Sequence, residues 1–161
     1  MFPFLLDLPL ALIAGFPSDY KVRMRALEFR GRAFRANLAY FSRISQLVSS
    51  ETDKPAFISK VDKALETLKK EYNHIFEKFK EDELYFDTVP LLDWAENSAK
   101  AWDKSMIDFQ TQFGLPPEMG EVRDALEELW DGFFHLEKSD GQVKLDELMT
   151  TFEEKINLVL L

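Results

Sequence analysis

The sequence contains no cysteine. That excludes a disulfide framework, a thiolate nucleophile and a zinc site built on cysteine, and it fits a reducing, cytoplasmic setting. Histidine is nearly absent too, with only His74 and His135. Six glycines and seven prolines are few, and most of them punctuate segment ends. They form no Gly-rich phosphate loop, and no Ser-His-Asp signature accompanies them. No segment alternates with the period of two that marks a half-buried strand, and no repeat of about 20–50 residues occurs. Nor is there an apolar run long enough to span a bilayer, which takes about 20 residues.

What remains is a chain of 161 residues, 46% hydrophobic and 30% charged, which by size and composition is one soluble globular domain with a substantial core. Its net charge of −9 is distributed unevenly. Residues 18–50 hold six of the seven arginines and carry +5, whereas residues 51–161 carry −13. The acidic balance argues against general nucleic-acid binding, which needs a cationic footprint. A cationic element in an anionic protein either docks on its own acidic neighbours or meets an anionic partner.

Within that stretch Leu27, Phe34, Leu38, Phe41 and Val48 recur at helical spacing and define one apolar stripe. Arg25, Arg32 and Arg43 fall on the opposite side with Arg35 nearby, which makes them the candidate face for an anionic partner. Arg23 and Arg30 flank the stripe, where their stems can cover core edges while the guanidinium reaches outward. Gly31, mid-helix, costs about 1 kcal/mol relative to alanine and is expected to mark close packing against another helix. Ahead of this element, residues 1–17 are apolar but interrupted by Pro3, Asp7 and Pro9, without a basic region before the apolar run. They are expected to stay on the chain as a strap packed on the bundle or projecting from it. Phe2, Phe4, Leu5, Leu6, Leu8 and Leu10 are its candidate contact residues.

Four further helices follow from the periodicity. One begins near Pro55 after a Thr52 or Asp53 cap, with a three-heptad seam of Ile58, Val61, Leu65, Leu68, Tyr72, Ile75 and Phe79 that predicts near-antiparallel packing. The next is introduced by Asp87, Thr88 and Pro90 and carries Leu92, Ala95, Ala99, Trp102, Met106, Phe109 and Phe113 inward. Gly114 and the prolines after it stop it. A fourth is expected from Pro117 to about Lys138 on Met119, Val122, Leu126, Leu129, Phe133 and Leu136, widened by Trp130 and Phe134. The last carries Leu145, Leu148, Phe152, Ile156 and Val159, with Ser139 or Asp140 as its cap. The expected fold is an all-α antiparallel bundle of about five amphipathic helices with short loops.

Chemistry-bearing motifs do not assemble. Glu71-x-x-His74 resembles half of the carboxylate–histidine set of ferritin-like di-iron proteins. His135 is preceded three residues earlier by Gly132, however, and His74 points away from its helix's apolar stripe. Asp131 and His135 are one turn apart and read as a surface pair. Asp140 to Glu147 resembles the second half of a calcium-binding EF-hand loop, but Leu136 and Lys138 stand where the first oxygen ligands belong. No catalytic residue, cofactor or metal is therefore expected. Residues 109–122, FQTQFGLPPEMGEV, resemble over about a dozen residues the tail of polyhydroxyalkanoate synthase E-type subunits and phasin-like granule proteins, with the Glu-Val pair one residue later. That resemblance implies an amphipathic helical protein on an apolar polymer or lipid surface.

Three functions are compatible with these observations. The first is a non-enzymatic helical interaction protein that binds another protein or itself. The second is a protein held on a membrane or granule surface by the apolar N-terminus and the arginine face. The third is a small-molecule binder with a pocket between helices lined by Trp94, Trp102 and Trp130.

Overall fold

The computed structural model describes the backbone of residues 20–79, 92–136 and 140–161, and the side chains of all of these except 20–27, 79, 92–96, 98 and 99. The described residues form five helices and no strand: α1 (Tyr20–Ser50), α2 (Lys54–Phe79), α3 (Leu92–Phe113), α4 (Glu118–Phe134) and α5 (Gly141–Leu160). The N-terminal strap and the Asp87, Thr88 and Pro90 helix start lie outside them.

Cross-helix pairs fix the direction of each helix. Lys78 reaches Glu28 at 2.9 Å, Tyr72 reaches Asn37 at 2.6 Å and Lys60 reaches Glu51, so α2 descends where α1 ascends. Phe34 meets Trp102 and Phe41 meets Phe109, which runs α3 parallel to α1. Arg30 lies on Phe134 and Phe34 on Trp130, which turns α4 down. Lys155 pairs with Glu128, and Gly132 abuts Leu148, bringing α5 up again beside α4. The result is an up-down-up-down-up helical bundle.

Helix ends follow local chemistry. Near the end of α1, the hydroxyls of Ser45 and Ser49 bond carbonyls four residues back, at 2.8 Å each, a pattern that competes with helix continuation. Three residues later Asp53 caps α2, its Oδ2 accepting from the Ala56 amide at 3.1 Å, with Pro55 in the first turn. α3 stops at Gly114, whose φ of 58° needs no Cβ to be avoided, and the Leu115 amide returns to the Gln110 carbonyl at 3.2 Å. α4 ends at Phe134 rather than near Lys138, with His135 as its C-cap. At the start of α5, Asp140 sits in helical geometry without a side-chain cap bond, so it does not play the capping role expected of it.

The core matches the predicted seams of α2 and α4 closely: Val61, Leu65, Leu68, Tyr72 and Ile75 are buried, as are Met119, Val122, Leu126, Leu129, Phe133 and Leu136. α1 departs from its predicted stripe. Phe34 and Phe41 are buried, but so are Phe29, Ala33, Tyr40, Ile44 and Leu47, because α1 touches all four other helices instead of one. Met149 is buried on α5 and was not on the predicted stripe, while Phe113 is 58% exposed at the tip of α3. Gly31 is also explained differently. Its nearest described neighbour is the guanidinium of Arg35, 3.8 Å from where a Cβ would sit, and among the described residues no atom of another helix is nearer to that position.

Candidate functional site

Helices α1 and α2 enclose a groove of about 280 Å³ on the outer side of their hairpin. Its depth comes from small side chains, Ala36 and Ala39 on α1 and Ala64 on α2, with Leu68 and Tyr40 completing the apolar part. Arg43, Lys60 and Lys63 border it, joined by Thr67 and Glu71. Antiparallel pairing gathers the three cations toward the connector between the helices and leaves Glu71 opposite Ala36 at the other end. Lys60 is held by Glu51, whose carboxyl this bond lowers below its ordinary range. Arg43 bonds only the neutral Gln46, at 3.2 Å, and neither Arg43 nor Lys63 forms an ion pair among the described residues. A small apolar trough with two uncommitted cations favours an occupant that is apolar on one side and anionic at its edge.

The arginine face predicted from the sequence is only partly assembled. Arg32 is half-buried and pairs with Glu28 one turn away at 3.5 Å. Arg35 is exposed and lies over Gly31. Arg43 borders the groove, and the side chain of Arg25 lies outside the described residues. Arg30 does not reach outward as expected: it is 7% exposed, its guanidinium 4.2 Å from the centre of the Phe134 ring. A cation packed on an aromatic face and covered from water belongs to the α1–α4 contact. The six candidate residues of the N-terminal strap, Phe2 to Leu10, lie outside the described residues.

Of the three tryptophans, Trp102 and Trp130 stack on each other at 5.7 Å with ring planes 6° apart, both buried. Both belong to the core, and the side chain of Trp94 lies outside the described residues. His74 is exposed, and His135 contacts Asp131 one turn back at 3.4 Å with both side chains mostly in water. Leu136, where an EF-hand would need its first oxygen ligand, is buried in the core. Among the described residues, no three or more His, Asp or Glu side chains are placed to hold a metal ion, and no helix is long and apolar enough to cross a membrane.

One polar pairing has no signal in the sequence. Asp103 on α3 faces Glu127 on α4, whose Oε1 is buried without a donor. Two carboxylates can bond only when one carries a proton. Burial first, and then Asp103, push the Glu127 carboxyl up to about 8, with Arg123 opposing and Asp124 assisting. The folded chain thus holds this proton up to about pH 8, whereas the unfolded chain releases it near the ordinary 4.5. The resulting stabilisation is complete below 4.5 and is lost as pH rises through 8. Glu127→Gln is expected to raise Tm at pH 8.5, leave it nearly unchanged at pH 4.5 and flatten the slope between. Thermal melts across that range check this; an unchanged slope in the variant would contradict it.

No protein-family model, no curated protein and no solved structure matches this chain.

Proposed function

We propose that this protein is a non-enzymatic helical interaction module, and that the α1–α2 groove takes an acidic amphipathic helix from a partner protein. The observation behind this reading is the groove itself: alanines where a neighbouring backbone must come close, and unpaired cations where its carboxylates would lie. Adding a helix to a helical hairpin repeats the packing by which the bundle is built. Lys60 to Glu71 spans about 16 Å along α2, room for about three helical turns.

The test uses a fluorescein-labelled helical peptide with leucines at i, i+4 and i+7 flanked by glutamates, titrated with the full chain and followed by anisotropy. A peptide of the same composition with scrambled spacing is the control. The patterned peptide should bind, weaken with added salt, and lose roughly fivefold in affinity on Lys63→Glu. Filling the trough with Ala39→Trp should abolish binding. Equal binding of both peptides, or indifference to both substitutions, would overturn the reading.

A further inference from the structure

The described surface contains a helix of the kind the groove fits. On α5, Leu145, Phe152 and Ile156 point into the core. Half a turn away, Val143, Glu147, Thr150, Glu154, Leu158 and Leu161 recur at steps of four, three, four, four and three residues and form a single outward stripe. Its apolar members are unusually open to water: Leu158 is 87% exposed, Val143 69% and Leu161 40%. Between them lie carboxylates. Glu154 forms no ion pair among the described residues, and Glu147 reaches only its own neighbour Lys144 at 3.7 Å. Glu147 to Leu158 covers about 16 Å of helix, the length of the groove.

We infer that the partner helix is α5 of a second copy of this chain, its outward stripe seated in the α1–α2 groove. This rests on the groove being a helix-docking surface. Three observations carry it: the apolar trough meets exposed leucine and valine, unpaired Arg43 and Lys63 meet unpaired Glu154, and the lengths agree. The contact cannot close within one molecule. Lys69 and Asn73, which bond Glu153 and Gln142 of the chain's own α5, lie on the side of α2 roughly opposite Thr67 and Glu71. Groove and stripe are different surfaces, so the contact is head-to-tail, and each copy keeps one free groove and one free stripe.

The head-to-tail arrangement makes a specific prediction. Light scattering on size-exclusion eluates of the full chain, from micromolar to millimolar, should show a mass that rises with concentration. Arg43→Glu with Lys63→Glu spoils the groove, and Leu158→Glu spoils the stripe. All three sites are exposed, so both variants should keep wild-type helicity, and each alone should associate at least about tenfold more weakly. Mixed together they should form a 1:1 heterodimer and nothing larger, since one intact groove and one intact stripe remain. A wild-type chain that stays monomeric would overturn the inference, as would a mixture that stays monomeric or a Leu158→Glu chain that still associates. If the patterned peptide still binds the groove in that event, the interaction-module reading stands and only the identity of the partner is wrong; if it does not, both fall.

Discussion

Trp102→Ala should lower stability by about 3–5 kcal/mol, the range for removing a fully buried large aromatic, and drop Tm by on the order of 10 °C in a chain of this size. Trp102 is 1% exposed and sits where three helices meet. Its indole stacks on Trp130 of α4 and takes the edge of Phe34 of α1 at 5.3 Å. Among the described side chains of α3, Trp102 and Met106 are the two fully covered ones, and half-buried Phe109 adds its contact with Phe41 of α1. Against a total stability of about 5–15 kcal/mol, such a loss should loosen α3 before the remaining helices. Trp102→Phe separates packing from polarity. The indole Nε1 is buried without an acceptor, an arrangement that itself costs about 1–3 kcal/mol; phenylalanine removes that donor while keeping much of the ring contact. The phenylalanine variant should therefore lose far less than the alanine one. Equal losses in urea titrations would mean that the stacked ring area is not what secures α3.

The second large effect concerns Asn37 and Tyr72. The Tyr72 hydroxyl donates to Asn37 Oδ1 at 2.6 Å, with both residues wholly buried between α1 and α2. Burial keeps that hydroxyl protonated far above its ordinary range, and the bond to Asn37 offsets only part of this. The Asn37 amide nitrogen has no acceptor. Tyr72→Phe strands the whole Asn37 amide, and Asn37→Leu strands the hydroxyl, so each alone should cost about 1–3 kcal/mol. Together they leave no polar atom behind, and the double variant should recover most of the loss. Simple additivity of the two losses would contradict this account.

Some of this was legible in the sequence and some was not. The stops at Gly114 and Pro116, the Asp53 cap and the seams of α2 and α4 are local signals, set by turn geometry and helical period, and they survive into the fold. α1 was harder because a single stripe describes a helix with one covered side, whereas this one meets α2 at Tyr72, α3 at Trp102, α4 at Trp130 and α5 at Phe152. Arg30 looks like a surface cation until Phe134 is brought beneath it. The Asp103–Glu127 pair joins two helices 24 positions apart along the chain, and nothing near either residue announces the other. The groove is similar: Ala36, Ala39 and Ala64 are unremarkable singly and become a trough only when the α1–α2 register sets them side by side.

The alternation of the five described helices also gives this part of the molecule a mechanical polarity. α1 begins at one end of the bundle and α5 finishes at the other, so tension applied between residues 20 and 160 runs along the helix axes. The interfaces are then loaded in shear, and many side-chain contacts must yield together. A bundle with an even number of helices, pulled from two ends on the same side, would peel open one turn at a time. This one should resist stretching at the outset and then give way abruptly.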